Sequence, residues 1–239
     1  MRPGPIVAMG GAEFAMRPEN ESLHDYVLAA AGKPRPRICL LPTASGDPRE
    51  GIAAFYAAMD RRDCEPSAIS LFRLVDVGID LRGALLAQDI VYVTGGNMVN
   101  LLALWREHGI GEILAEANAN GTVLCGYSAG SMCWFEWGIS RGVGKPVATR
   151  GLGLVERSHC VHYSQDAARR QAYLAMVGGG AIPGGVALDD HAAALFRDGE
   201  LVEVVRSRES SRAFAVTRSA GDTGAAMEHE HEARMLEPP

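Results

Sequence analysis

Aromatic side chains are scarce in this chain, long apolar runs are missing, and neither sign of charge dominates. Phe, Trp and Tyr make up 6% of the 239 residues, and small aliphatic residues are abundant. That composition favours a packed α/β core over a Trp-rich binding platform. Lys and Arg number 23 against 29 Asp and Glu, a formal charge of −6 with both signs mixed along most of the chain. Nucleic acid and anionic membranes require a basic face, so neither is an expected partner. No apolar run is long enough to span a bilayer, and the one within the first eleven residues is too short for a signal peptide. The five cysteines, Cys39, Cys64, Cys125, Cys133 and Cys160, are odd in number and lack paired spacing. They read as small buried hydrophobes in a reducing compartment, and the expected location is the cytoplasm.

What is present is an alternation of short apolar runs with helical patterns. Ile6–Met9, Ile38–Leu41, Asp89–Val93 and Thr122–Cys125 read as strands, and Ala68–Leu71 as a candidate strand between them. Helical patterns fall near 21–31, 51–61, after Asn97 and over 111–118. The pattern predicts a doubly wound, mostly parallel sheet with helices on both faces. Later, Ala192–Phe196 and Leu201–Val205 flank Asp198-Gly199, a C-terminal hairpin. Residues 1–217 are expected to form one α/β domain. From Arg218 the chain turns polar and small, and 218–239 is expected to be a poorly ordered or peripheral tail.

In such sheets ligands gather at the carboxyl ends of strands. Gly10-Gly11, Thr43-Ala44-Ser45, Gly95-Gly96-Asn97 and Tyr127-Ser128-Ala129 all fall there. Gly126-Tyr127-Ser128-Ala129-Gly130 follows a strand and precedes a helix, the pattern of a nucleophile elbow. Small residues must flank so tight a turn. The turn exposes the Ser128 hydroxyl, and the Ala129 N–H becomes a donor for a developing oxyanion. Acyl transfer needs a second donor, and the unhindered backbone of Gly96 is the choice.

A serine nucleophile needs a base, and the base an orienting acid. His24 and His108 read as surface residues of helices, and His229 and His231 lie in the polar tail. That leaves His159, His162 and His191, of which the first two alternate across a strand that enters a loop. For the acid, Asp189-Asp190 follows an apolar run, with Asp166 as an alternative that also suits a helix cap.

Thr94-Gly95-Gly96-Asn97, the elbow, Cys160-Val161-His162-Tyr163 and Leu188-Asp189-Asp190-His191-Ala192 follow one another along residues 5–205. In that order they resemble the S51 family of serine peptidases, the dipeptidase E and cyanophycinase group. The resemblance implies Ser128 as nucleophile, His162 as general base and Asp190 as third member. The family often has Glu there, so Asp189 stays open. It implies an oxyanion hole of Gly96 and Ala129. Arg169 falls close to an arginine thought to hold an aspartyl carboxylate in dipeptidase E-like members, while Arg169-Arg170 also suits a solvated helix face. Asn97 and Tyr163, within the matching stretches, are the other expected substrate-binding residues. The implied activity is hydrolysis of short peptides, including those with N-terminal Asp, or of cyanophycin-like aspartyl-arginine amides. No metal or cofactor is implied, His229-Glu230-His231 is not expected to form a site, and a homodimer is compatible with the sequence. An α/β-hydrolase esterase and a catalytically silent amide-binding protein are the rival readings.

Overall fold

The computed structural model describes residues 2–11, 21–74, 78–220 and 224–237. Its strands are β1 (Ile6–Met9), β2 (Arg37–Leu41), β3 (Glu65–Ala68), β4 (Ile90–Val93), β5 (Val123–Tyr127), β6 (Phe135–Val143), β7 (Lys145–Arg150), β8 (Val155–Val161), β9 (Gly185–Leu188), β10 (Ala192–Arg197), β11 (Glu200–Arg206), β12 (Ala213–Arg218), β13 (Ala226–Glu230) and β14 (Arg234–Met235). The helices are α1 (Glu21–Ala30), α2 (Arg49–Met59), α3 (Leu81–Leu86), α4 (Met98–Glu107), α5 (Ile110–Ala119), α6 (Ala129–Met132) and α7 (Ala167–Gly178).

Eight strands form one sheet in the order β14-β11-β10-β1-β5-β4-β2-β3. The run β1-β5-β4-β2-β3 is parallel, and β10 and β11 continue it as an antiparallel hairpin. The hairpin turn is Asp198-Gly199, with φ of 52° and 79°, the positive values that a tight two-residue connection demands. Both faces of the sheet are covered, which explains its continuous apolar strands. On β1, Ile6 and Ala8 face one core, while Val7 and Met9 face another that contains Leu23 and Val27 of α1 and Phe55 and Met59 of α2. The first core holds Leu101 and Trp105 of α4, Leu114 of α5, and Phe135, Val161 and Leu188 from a second sheet.

That second sheet has six strands, β13-β12-β9-β8-β6-β7, of which the sequence showed the strand that enters the His162 loop and the apolar run before Asp189. Its far face packs on α7 through Ile139, Cys160, Tyr173, Val177 and Val216. The α/β class and the mostly parallel main sheet stand as expected, and β3 lies slightly earlier than the expected strand.

Two expectations are corrected. The segment from Arg218 was expected to be poorly ordered or peripheral, and it is peripheral but not without structure. Its described residues instead include β13, which pairs with β12 in antiparallel register, and β14, which pairs with β11. The polarity of β13 is that of an edge strand: the ladder satisfies its backbone while its side chains meet water. His24, expected at the surface, is 4% exposed because it lies beside Leu23 on the inward side of α1. All five cysteines are buried and unpaired. Among the described residues no helix is long and apolar enough to cross a membrane.

Candidate active site

The site forms where the carboxyl ends of the main sheet meet the second sheet. β5 delivers Ser128 into a sharp turn with φ 53° and ψ −116°, a strained conformation costing about 1–3 kcal/mol. Several contacts hold it there. The Ser128 N–H donates to Met9 O at 3.1 Å, and its carbonyl accepts from Ser131 and Met132 N–H. The flanking glycines are required by close approach: a Cβ on Gly126 would lie 2.4 Å from Gly130 O, and one on Gly130 2.3 Å from Val93 O.

His162 follows β8, also at positive φ (52°), and is fixed by what comes after it. Its carbonyl accepts from Gln165 and Asp166 N–H, and the Tyr163 N–H donates to Leu188 O. From there the imidazole reaches both partners. Ser128 Oγ donates to Nε2 at 2.9 Å, and Nδ1 donates to Asp190 Oδ1 at 2.5 Å. Burial alone would raise the Asp190 carboxyl above the ordinary range. The His162 hydrogen bond and the neighbouring His162, His191 and Arg169 outweigh it, so the net shift is downward and the carboxylate stays ionised.

The two aspartates divide cleanly. Asp189 is 1% exposed and accepts the N–H groups of Ser164 (2.8 Å) and Arg212 (3.1 Å), tying the loop after β8 to the start of β12. Asp190 alone meets the imidazole, and its carbonyl accepts from Ser211 Oγ at 2.6 Å. Asp166 caps α7 by accepting the Arg169 N–H, and its other oxygen meets Arg141 at 3.0 Å.

Opposite the imidazole, the Gly95–Gly96 turn packs against the elbow. A Cβ on Gly95 would sit 2.7 Å from the Tyr127 ring and 3.1 Å from Ser128 Cβ. Gly96, at φ 140°, rides over the short 3-10 turn Thr43–Ser45, where a Cβ would lie 2.1 Å from Ala44 O. Ala129 is the first residue of α6, so its N–H is one of the donors a helix start leaves without an intrahelical acceptor.

Three residues expected to touch substrate are held by contacts within the fold. Tyr163 is fully buried between Tyr173 and Phe214, and its hydroxyl donates to Glu228 at 2.6 Å. Asn97 caps α4, accepting from Val99 and Asn100 N–H while donating to Gly142 O. Arg169 lies on the inward stripe of α7 with Tyr173 and Val177. It is 8% exposed, donates from Nη1 to Val161 O at 3.2 Å, and faces Asp166 through Nε at 3.4 Å. Its helical position buries it, so it supports the His162 loop from beneath.

Sequence reasoning left Gly11 without a role. A Cβ there would fall 2.0 Å from Asp190 Oδ1 and 2.6 Å from the His162 ring, so only a bare backbone fits against the imidazole–carboxylate pair. The Gly10-Gly11 pair at a strand end was its signal. Glu228 was missed as well, because nothing in a polar tail marks one carboxylate among several.

A hydroxyl, an imidazole and a carboxylate in one hydrogen-bonded line, at a strained strand-to-helix turn of an α/β fold, is the architecture of serine hydrolases. The chain belongs to peptidase family S51, whose model matches residues 6–204, and it is a serine-type peptidase. It is 43% identical over 211 residues to the uncharacterized peptidase YgaJ of Bacillus subtilis (strain 168), covering 88% of this chain and 91% of that one. Two solved structures share the fold. A peptidase from an acI-B1 Actinobacterium gives a TM-score of 0.72 at 16% identity, over 97% of this chain and 95% of that one. A putative peptidase E from Listeria monocytogenes EGD-e gives 0.61 at 17% identity, over 85% and 98%.

Proposed function

We propose that this peptidase hydrolyses short peptides by acyl transfer through Ser128, His162 and Asp190. The observation that carries the reading is the continuous line from Ser128 Oγ through the imidazole to Asp190 Oδ1. Ser128 Oγ attacks the scissile carbonyl carbon while His162 Nε2 takes its proton, and Asp190 holds the imidazole in the Nδ1–H tautomer. The carbonyl oxygen becomes an oxyanion facing the N–H groups of Gly96 and Ala129. His162 then gives its proton to the leaving amine. Water, deprotonated by the same nitrogen, clears the acyl-enzyme and returns the hydroxyl to Ser128.

Along the chain the order is serine, histidine, acid, unlike the serine, acid, histidine order of α/β-hydrolase esterases, which supports the peptidase reading. With Arg169 buried against Val161 O and Asp166, that residue does not support a strict preference for N-terminal Asp. The proposed substrates are therefore short, unblocked peptides, with aspartyl ones among them.

The test is hydrolysis of a dipeptide panel including Asp-Leu and Ala-Leu by wild type and Ser128→Ala, with fluorophosphonate labelling alongside. Cleavage of several dipeptides, lost in Ser128→Ala, is expected. Cleavage of Asp-Leu alone would restore an aspartyl specificity and require a guanidinium other than the buried one. A wild type that neither labels nor cleaves would overturn the reading and favour a silent binding protein.

A further inference from the structure

Behind the Ser128–His162 contact lies a second serine–histidine pair that the proposed chemistry does not use. Ser131 and His159 are both 0% exposed. Ser131 Oγ donates to His159 Nε2 at 2.8 Å, and His159 Nδ1 donates to Val186 O at 2.9 Å. The imidazole lies on the Phe135 ring, with centroids 4.5 Å apart. Ser131 follows Ser128 by three residues, and His159 precedes His162 by three. The buried pair and the reactive pair therefore join the same two elements, α6 and β8.

One imidazole thereby joins three elements that each adjoin a member of the proposed triad. α6 begins immediately after Ser128, and the Ser131 N–H also donates to the Ser128 carbonyl at 3.0 Å. β8 carries His159 and runs on to His162. β9 supplies Val186 and runs on to Asp189 and Asp190.

We infer that Ser131 and His159 are positioning residues, a buried clamp that sets the reach from Ser128 to His162 by locking α6, β8 and β9 to one another. The inference rests on reading Ser128 and His162 as nucleophile and base. A hydrogen-bonded imidazole suits this task better than an apolar residue, because its two nitrogens fix two directions where dispersion contacts fix none. A charged clamp would oppose the imidazolium that forms on His162 during turnover. His159 instead stays neutral: burial pushes it down to about 4, with Arg169 and His162 adding to the effect against the Val186 hydrogen bond.

The experiment uses the full chain as Ser131→Ala, His159→Phe and the double variant. Fluorophosphonate labelling rate, kcat and KM on a cleaved dipeptide, and melting temperature are all measured. Each single variant is expected to lower labelling rate and kcat about 10- to 100-fold, the scale of a small misplacement of reacting groups, with KM unchanged. Replacing both partners by apolar groups strands neither end of the serine–imidazole hydrogen bond and takes the imidazole donor only from the Val186 carbonyl, so the double variant should melt no lower than His159→Phe alone. Its kcat should stay low and no worse than that of His159→Phe, because that single variant already removes both hydrogen bonds of the clamp. Recovery of kcat together with melting temperature would reduce the pair to an ordinary core contact and overturn the proposal. So would singles that label and turn over at the wild-type rate. A wild type that does not label at Ser128 would instead remove the nucleophile assignment, and the clamp with it.

Discussion

Asp189 and Asp190 are neighbours in sequence with opposite environments, and substitutions should separate them. Asp189 is buried and holds two backbone N–H groups, while Asp190 holds the imidazole at a partly open site. Asp189→Ala is expected to lose about 1–3 kcal/mol of stability, the cost of stranding buried donors, read as a lower midpoint in urea denaturation. Asp190→Asn should lower that midpoint less than Asp189→Ala does while lowering kcat by about three to four orders of magnitude, since the amide no longer orients the imidazole or supports its charge. The reverse pattern, with kcat lost in Asp189→Ala and kept in Asp190→Asn, would exchange their assignments. Ser128 was legible in the sequence because its geometry is local: an elbow needs glycines two places either side, and both are there. The choice between the aspartates was not, because it depends on which carboxylate the turn before β10 aims at His162, some 28 residues away.

At the scale of elements, the strand and helix alternation of the main sheet was readable because each strand is a short, continuous apolar run. Of the second sheet, β9 and the end of β8 were legible as short apolar runs, and its other strands were not. β6 and β7 mix glycine, charge and half-buried positions, so neither period two nor an unbroken apolar stretch appears. β13 reads as a tail for the same reason. Yet its Glu228 accepts the Tyr163 hydroxyl and a two-pronged hydrogen bond from Arg170, whose guanidinium also lies 5.1 Å over the Tyr163 ring. Tyr163 follows His162 directly, so the last edge strand braces the residue that holds the imidazole's backbone at positive φ. Glu228→Ala is expected to cost about 1–2 kcal/mol and to lower kcat, and removal of everything after Ala220 to abolish activity. Truncated chain that retains full kcat would show that β13 does not support the site.

For the whole molecule, two buried imidazoles shape the response to acid. Burial, aided by Arg62, pushes His24 down to about 3, and His159 is pushed down to about 4. In the unfolded chain an ordinary histidine takes up its proton near pH 6.5. Between these values the unfolded state binds more protons than the folded one, so stability falls as pH drops below about 6.5. Each group contributes at most about 1.4 kcal/mol per pH unit across that window. The carboxylates Asp89, Asp166, Asp190 and Glu228 are held below the usual range because ion-pair and hydrogen-bond partners outweigh burial. Their contribution is present above the ordinary carboxylate range and is lost at still lower pH. Urea midpoints at pH 7.5, 6.0 and 5.0 should therefore decline steadily, and a flat series would mean that His24 and His159 protonate as freely folded as unfolded.

The central strand of the main sheet, β1, is flanked by β5 on one side and by β10 on the other, and the turn leading into β10 carries Asp190. A growing chain thus makes the proposed nucleophile Ser128 before the proposed acid Asp190, and the brace from β13 later still. Until β10 closes beside β1, a half-made copy holds Ser128 without the carboxylate proposed to orient its base. For a peptidase working through the proposed triad, the order in which segments emerge during synthesis would put the hydroxyl in place before the carboxylate, so peptide cutting would wait for the chain through β10.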